Sequence, residues 1–159
     1  MKNNIEKTNA LRILASKKID FKTYSFPCDK ALSASEVAEI LQQDENKIYK
    51  TLVTTSSSKT NYVFLVQASK NLDLKKAAKV VNEKYVEMLA SKLLLPLTGY
   101  VHGGCSPIGM KKQFKTIIDS SYKTNESIIF SGGRIGLQVE IMTNDLKKVL
   151  EYQCEDISI

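Results

Sequence analysis

The chain is poor in the residues that carry most enzyme chemistry. It holds one histidine, His102, and three cysteines, Cys28, Cys105 and Cys154, within 159 residues. The cysteines are odd in number, far apart and without a C-x-x-C pair, so neither a disulfide framework nor a zinc knuckle is indicated, and no metal site or cofactor is expected. There is no Walker A loop, no G-x-G-x-x-G after a strand and no H-E-x-x-H, and the acidic residues form no obvious catalytic pair. Ser106 before Pro107 lacks the G-x-S-x-G elbow of a serine hydrolase. No apolar run approaches the roughly 20 residues that span a bilayer, and MKNNIEKTNALRIL opens without a signal-peptide apolar core. A cytoplasmic protein with no membrane partner is expected, and if it is an enzyme its nucleophile comes from outside.

Glycine is scarce as well, and its placement is informative. Six of the seven glycines lie in two loops, Gly103-Gly104-Cys105-Ser106-Pro107-Ile108-Gly109-Met110-Lys111-Lys112 and Ser131-Gly132-Gly133-Arg134-Ile135-Gly136. Paired glycines permit positive φ and let a ligand approach the backbone, so exposed N–H groups can cradle an oxyanion or a phosphate. A backbone-lined pocket is the leading site expectation, set against the plainer reading of two turns between strands.

With 43% hydrophobic and 25% charged residues, the composition is that of a soluble globular protein, and the length fits one domain over residues 1–159. The net charge of +6, from 23 Lys+Arg against 17 Asp+Glu, would attract a polyanion and speed its encounter without reading a base sequence. Lys75, Lys76 and Lys79 share one helical segment, while Lys111, Lys112 and Lys115 follow the first glycine loop. Part of the charge therefore lies near the proposed pocket.

Ile5, Leu11, Leu14 and Ala15 recur at near-helical spacing, so a helix is expected from about Asn4 to Lys18, then a short strand from Phe21 to Phe26. Ser33 to Glu36 is a capping box ahead of a helix burying Val37, Ile40 and Leu41. Ile48 to Thr55 and Tyr62 to Ala68 read as a buried hairpin. Asn71 or Asp73 caps a helix with Leu74, Ala77, Ala78 and Val81 on one side. Tyr85 to Met88 reads as a strand and Ser91 to Leu95 as a short helix ended near Pro96 and Gly99. Thr116 to Ile118, Ser127 to Phe130 and the alternation of Leu137, Val139 and Ile141 give three more strands. Thr143 or Asn144 caps a last helix burying Leu146, Val149 and Leu150, followed by a short tail. This order predicts an α/β domain, a mixed and mostly antiparallel barrel-like sheet surrounded by helices.

Lys50 sits on a predicted strand, on the face shared by Ile48 and Leu52. If that face is the core side, the ammonium must snorkel out or point into a polar cavity, because an unpaired buried charge is costly; if it is a solvent face, the lysine is unremarkable. Cys105 has His102 three residues away, but near neighbours in a loop seldom meet in catalytic geometry, so a filler cysteine and a surface histidine are expected.

These motifs together resemble the YbaK/EbsC family of aminoacyl-tRNA editing domains, in particular its bacterial YbaK branch. The resemblance runs through Tyr49-Lys50-Thr51-Leu52-Val53, Asn71-Leu-Asp-Leu-Lys-Lys-Ala-Ala-Lys79, Val86-Glu87-Met88, Thr98-Gly99-Tyr100 and both glycine loops, the second continuing to Glu140. It implies a mixed α/β fold similar to the editing insertion of bacterial prolyl-tRNA synthetases. It also implies removal of cysteine from tRNA(Pro), and from Cys-tRNA(Cys), with the substrate's own thiol attacking its ester carbonyl. On this resemblance Lys50 and Gly104 are the catalytic candidates. Tyr24, Thr51, Gly103, Ser131 and Gln138 are the substrate-binding ones, and Lys75, Lys111 and Arg134 meet the tRNA. The implied partners are the acceptor end of a mischarged tRNA and prolyl-tRNA synthetase. The chain departs from the family pattern at Arg134-Ile135, where relatives continue Lys-Arg-Gly, at Cys105, where they carry small aliphatics, at Gln138, acidic in some, and at Ser33-Ala34, an aromatic-Gly pair in others. A deacylase for another small residue such as alanine, or a non-catalytic tRNA or synthetase-binding module, remains the alternative.

Overall fold

The computed structural model describes residues 8–159, and the fold grows from two hairpins whose apolar faces are closed by short helices. Helix α1, Asn9–Ser16, is capped by Thr8, whose hydroxyl accepts the Leu11 N–H, and buries Ala10, Leu11 and Leu14. The expected start of this helix, including Ile5, lies outside the described residues. Strand β1, Phe21–Ser25, leads to α2, Ala34–Leu41, which carries the full Ser33/Glu36 capping box. Val37 and Ala38 form its buried side, while Ile40 is exposed.

The hairpin of β2, Tyr49–Ser56, and β3, Asn61–Gln67, is antiparallel as its β-branched runs require. Asp73 is the cap of α3, Leu74–Val80, accepting from Lys75 and Lys76 N–H. Ala77 and Ala78 face the core, but Leu74 is 41% exposed because it stands at the first turn, beyond the reach of β3. Strand β4, Val86–Met88, is followed by α4, Ser91–Thr98, which runs through Pro96 and stops at Gly99 in the left-handed conformation. Pro96 removes one backbone donor, and the Thr98 hydroxyl returns a bond to Leu94 C=O at 2.7 Å.

Strands β5, Lys115–Asp119, β6, Ser127–Ser131, and β7, Leu137–Met142, follow. The last helix, α5, is a single turn over Leu146–Val149 with no side-chain cap. The expected tail instead forms β8, Gln153–Glu155, parallel to β5. Its anchor is Asp119, only 3% exposed, which accepts from the N–H groups of Ile157, Ser158 and Ser121.

The strands form two sheets, β1-β7-β6 and β4-β2-β3-β5-β8. Four pairings are antiparallel, and the β3–β5 and β5–β8 pairs are parallel. The expected barrel does not close: the sheets join through one parallel bridge, Ile48 to Ile129, and then diverge. No helix among the described residues is long and apolar enough to cross a membrane.

Burial alone would raise the Asp119 pKa, but hydrogen bonds from Ser121, Ile157 and Ser158 outweigh it and hold the carboxyl below its ordinary 3.8. Its stabilisation is present above that value and lost as pH falls below it. Asp119→Asn is expected to cost about 1–3 kcal/mol in denaturant unfolding at neutral pH and to flatten the acid limb of the stability curve.

Candidate active site

The divergence of the sheets leaves β2 with an interrupted edge. One flank pairs with β3 along its whole length. The other meets Ile129 of β6 at Ile48, and meets β4 from Thr54 onward, with Leu89 N–H donating to Val53 C=O at 3.0 Å. Between those contacts, on that flank, Lys50, Thr51 and Leu52 have no strand beside them among the described residues.

Backbone register decides what the gap displays. Ala68 N–H donates to Ile48 C=O, so even-numbered residues of β2 bond to β3 and odd-numbered ones turn their N–H and C=O the other way. Thr51 therefore aims both groups into the gap. From the far side, the bonds Thr143 N–H to Glu126 C=O and Gly132 N–H to Leu137 C=O fix a register in which Ser131 turns its own away from β7, toward β2. Side chains follow the same order. Lys50 leaves the face of Ile48, Ser131 that of Ile129, and Gln138 pairs with Ser131, so the three form one row.

The gap opens into a cavity of about 640 Å³ whose wall includes Lys50, Thr51, Gly103, Ser131 and Gln138. Five of the expected site residues thus come together. Lys50 is half-buried, makes no hydrogen bond or ion pair among the described residues, and has its pKa lowered by burial. Sequence alone gave no sign of that lowering. The Thr51 hydroxyl is the one buried side-chain oxygen or nitrogen without a partner among the described residues. Ser131 Oγ accepts from Gly133 N–H at 3.2 Å.

The other expected residues stand off the cavity wall. Gly104 is buried and off the wall, and its N–H donates to Val101 C=O at 2.9 Å, which leaves it no proton for an oxyanion. It is glycine because a Cβ there would lie 2.8 Å from the backbone of Arg134 and Ile135: the two glycine loops touch main chain to main chain. Tyr24 is also off the wall. Its hydroxyl donates to Glu140, a carboxylate that further accepts from Lys47 Nζ at 2.9 Å and from the Ser127 hydroxyl. The phenol pKa is pushed up to about 12, first by that hydrogen bond and then by burial. Burial opposes ionisation of Glu140, but Lys47, Ser127 and Tyr24 bring it down to about 2. None of Lys75, Lys111 and Arg134 lines the cavity. Lys75 is exposed on α3, the Lys111 stem packs against Gly99, and Arg134 Nη1 donates to Ile135 C=O at 2.8 Å.

Cys105 does reach the wall, but burial pushes its thiol up to about 12, so it stays protonated and fills space. His102 is exposed at the rim. Sequence reasoning missed Asn71, Met88 and Leu94 as lining residues. Asn71 is drawn in by reciprocal backbone bonds with Ile159 at the end of the tail, a pairing no local pattern announces.

A half-buried cation without a partner is a stability defect retained for another purpose. Lys50→Met is expected to raise unfolding stability by up to about 1 kcal/mol, read by denaturant titration. Glu140→Gln is expected to destabilise and to remove the stability that the wild type loses as pH falls from about 4.5 toward 2.

Comparison with known proteins places this geometry. The model of the aminoacyl-tRNA editing domain matches residues 28–149. A protein of Enterococcus faecalis, named "Putative Cys-tRNA(Pro)/Cys-tRNA(Cys) deacylase EbsC", is 40% identical over 158 residues, covering 99% of this chain and 96% of its own. A crystal structure described as "a putative trans-editing enzyme for prolyl tRNA synthetase" superposes with a TM-score of 0.84 at 22% identity, over 98% of this chain and 99% of that one. A second, of a hypothetical protein, gives 0.82 at 17% identity, over 95% and 99%. These two show the shared fold. With the family model covering most of the chain and a relative of this identity along nearly all of it, the protein belongs to the aminoacyl-tRNA editing domain family, in its YbaK/EbsC group.

Proposed function

We propose that the protein is a trans-editing deacylase that removes cysteine from Cys-tRNA(Pro), and from Cys-tRNA(Cys), as the name of its Enterococcus relative describes for that protein. The observation that carries the reading is the Lys50 ammonium, without a partner among the described residues, beside the inward-turned backbone of Thr51, in a cavity whose lining thiol, Cys105, is held protonated. Such a wall binds and orients, and its cysteine is no thiolate nucleophile.

The chemistry then falls to the substrate. The cysteinyl sulfur attacks its own ester carbonyl, a C–S bond forms, the C–O bond to the ribose breaks, and the thiol proton ends on the ribose oxygen. The product is a cyclic thioester that water opens later. Holding sulfur and carbonyl together supplies the proximity that lowers the barrier. In this reading Thr51 N–H and the Lys50 ammonium stabilise the oxyanion. Lys50 serves to bind and orient the ester rather than to transfer a proton. Gly103, with φ +85 and no Cβ to strike Ala31, keeps the loop close to the substrate. Gln138 and Ser131 hold its polar groups.

The tRNA is held mainly through phosphate, by lysines such as Lys75 and Lys111 and by Arg134, with its identity supplied by association with prolyl-tRNA synthetase. A panel of mischarged tRNAs tests the reading. Cys-tRNA(Pro) is expected to be cleared, while Ser-tRNA or thiol-blocked Cys-tRNA is spared, and Lys50→Ala is expected to reduce turnover at least 100-fold, in line with loss of one oxyanion donor. Equal clearance of the thiol-blocked substrate would refute self-attack, and preference for Ala-tRNA(Pro) would name the other family substrate. Activity is also expected to decline on the alkaline side at a pH below the ordinary 10.5 of a lysine, as Lys50 loses its proton.

A further inference from the structure

The cavity is larger than the group proposed to enter it. A volume of about 640 Å³ belongs to sites that enclose a drug-sized ligand, well beyond the needs of a cysteinyl residue. Four of its polar side chains, Lys50, Thr51, Ser131 and Gln138, gather where β2 and β6 part. From there the wall follows the open edge of β2 past Leu52 to Val53, where it becomes apolar, with Met88, Leu89 and Leu94. Met88 pairs in register with Thr54, so its side chain leaves the face shared by Lys50 and Leu52, about 13 Å further along at the usual rise per residue. Met88 is nevertheless 47% exposed. Leu95, four residues after the lining Ser91 and thus on the same side of α4, is 50% exposed. Large apolar side chains left open beside a cavity mark surface that a ligand covers.

We propose that this end of the cavity is a nucleobase shelf, where the base of the terminal nucleoside of an aminoacylated RNA lies against Met88, Leu89 and Leu94. The inference rests on the deacylase reading. The esterified residue at the Lys50 end is joined to its base through a single ribose, so the base must lie one sugar away; of the two apolar stretches of wall, the one at Leu32, Ala34, Val37 and Ala68 and the one at Met88, Leu89 and Leu94, the second lies along the open edge of β2 and carries the large exposed side chain, Met88. Flat apolar contact accepts the face of any base, which suits an enzyme whose substrates share their terminal nucleoside. Lys92, exposed beside Ser91, stands where the next phosphate would pass.

The test compares two cysteinyl esters, one on the 3′-terminal adenosine of an RNA minihelix and one a simple methyl ester with no nucleoside. In the wild type the ratio of kcat/KM values favours the RNA ester. Met88→Ser is expected to lower that ratio about tenfold, through KM, and Met88→Phe, which restores a flat apolar face, to recover it. An unchanged ratio overturns the shelf while leaving wild-type cleavage, and therefore the deacylase reading, intact. Weaker association of Met88→Ser with prolyl-tRNA synthetase at an unchanged ratio assigns the apolar surface to a protein contact and likewise overturns it. Failure of the wild type to cleave either ester removes the deacylase reading and the shelf with it.

Discussion

One interruption in a hydrogen-bond ladder organises this molecule. β2 is flanked by β6 at its start and β4 at its end, and three residues between them have no strand on that side among the described residues. An unpaired stretch of edge is ordinarily a liability. Here it is roofed by the two glycine loops and the segment before α2, so polar main chain is exposed only to a cavity. The lysine, the threonine amide and the serine that face one another all owe their placement to that gap.

The surrounding structure is correspondingly stiff where the gap is not. Asp119 ties the tail to β5, and the tail ends paired with Asn71, itself a lining residue. Glu140 gathers Tyr24, Lys47 and Ser127 from three separate segments, just beyond Gln138 on the same strand face. Neither carboxylate touches the cavity, yet Glu140 fixes β7, which carries Gln138, and Asp119 fixes the tail on which Asn71 rests. Rigidity at a distance lets a single uncompensated cation persist at the centre, because the fold gives it no carboxylate to collapse onto.

Much of this was legible in the residues. The capping box at Ser33 and Glu36, the Asp73 cap and the β2–β3 hairpin are local patterns and formed as read. Lys50 stood out because a lysine amid β-branched residues needs an outlet, and the cavity is that outlet. What failed was non-local. Nothing in Gln153–Glu155 signals a parallel strand, since its partner lies over thirty residues away. Barrel closure depends on the divergence of two strands after one bridge, which no periodicity encodes. The bond from Tyr24 to Glu140, which reaches across β7 and β1, appears only once their register is known. The glycine pair was recognised as a site element, but its members divide the work: Gly103 faces the cavity and Gly104 faces the other loop.

That division has a bearing on how this scaffold can diversify. Since Gly104 rests directly on the backbone of Arg134 and Ile135, the spacing of the two loops is set by peptide planes and leaves no room for tuning by side-chain size. New selectivity must therefore be written elsewhere on the lining, at small residues such as Ala34 and Ala68, where an added methyl group narrows the chamber without parting the loops.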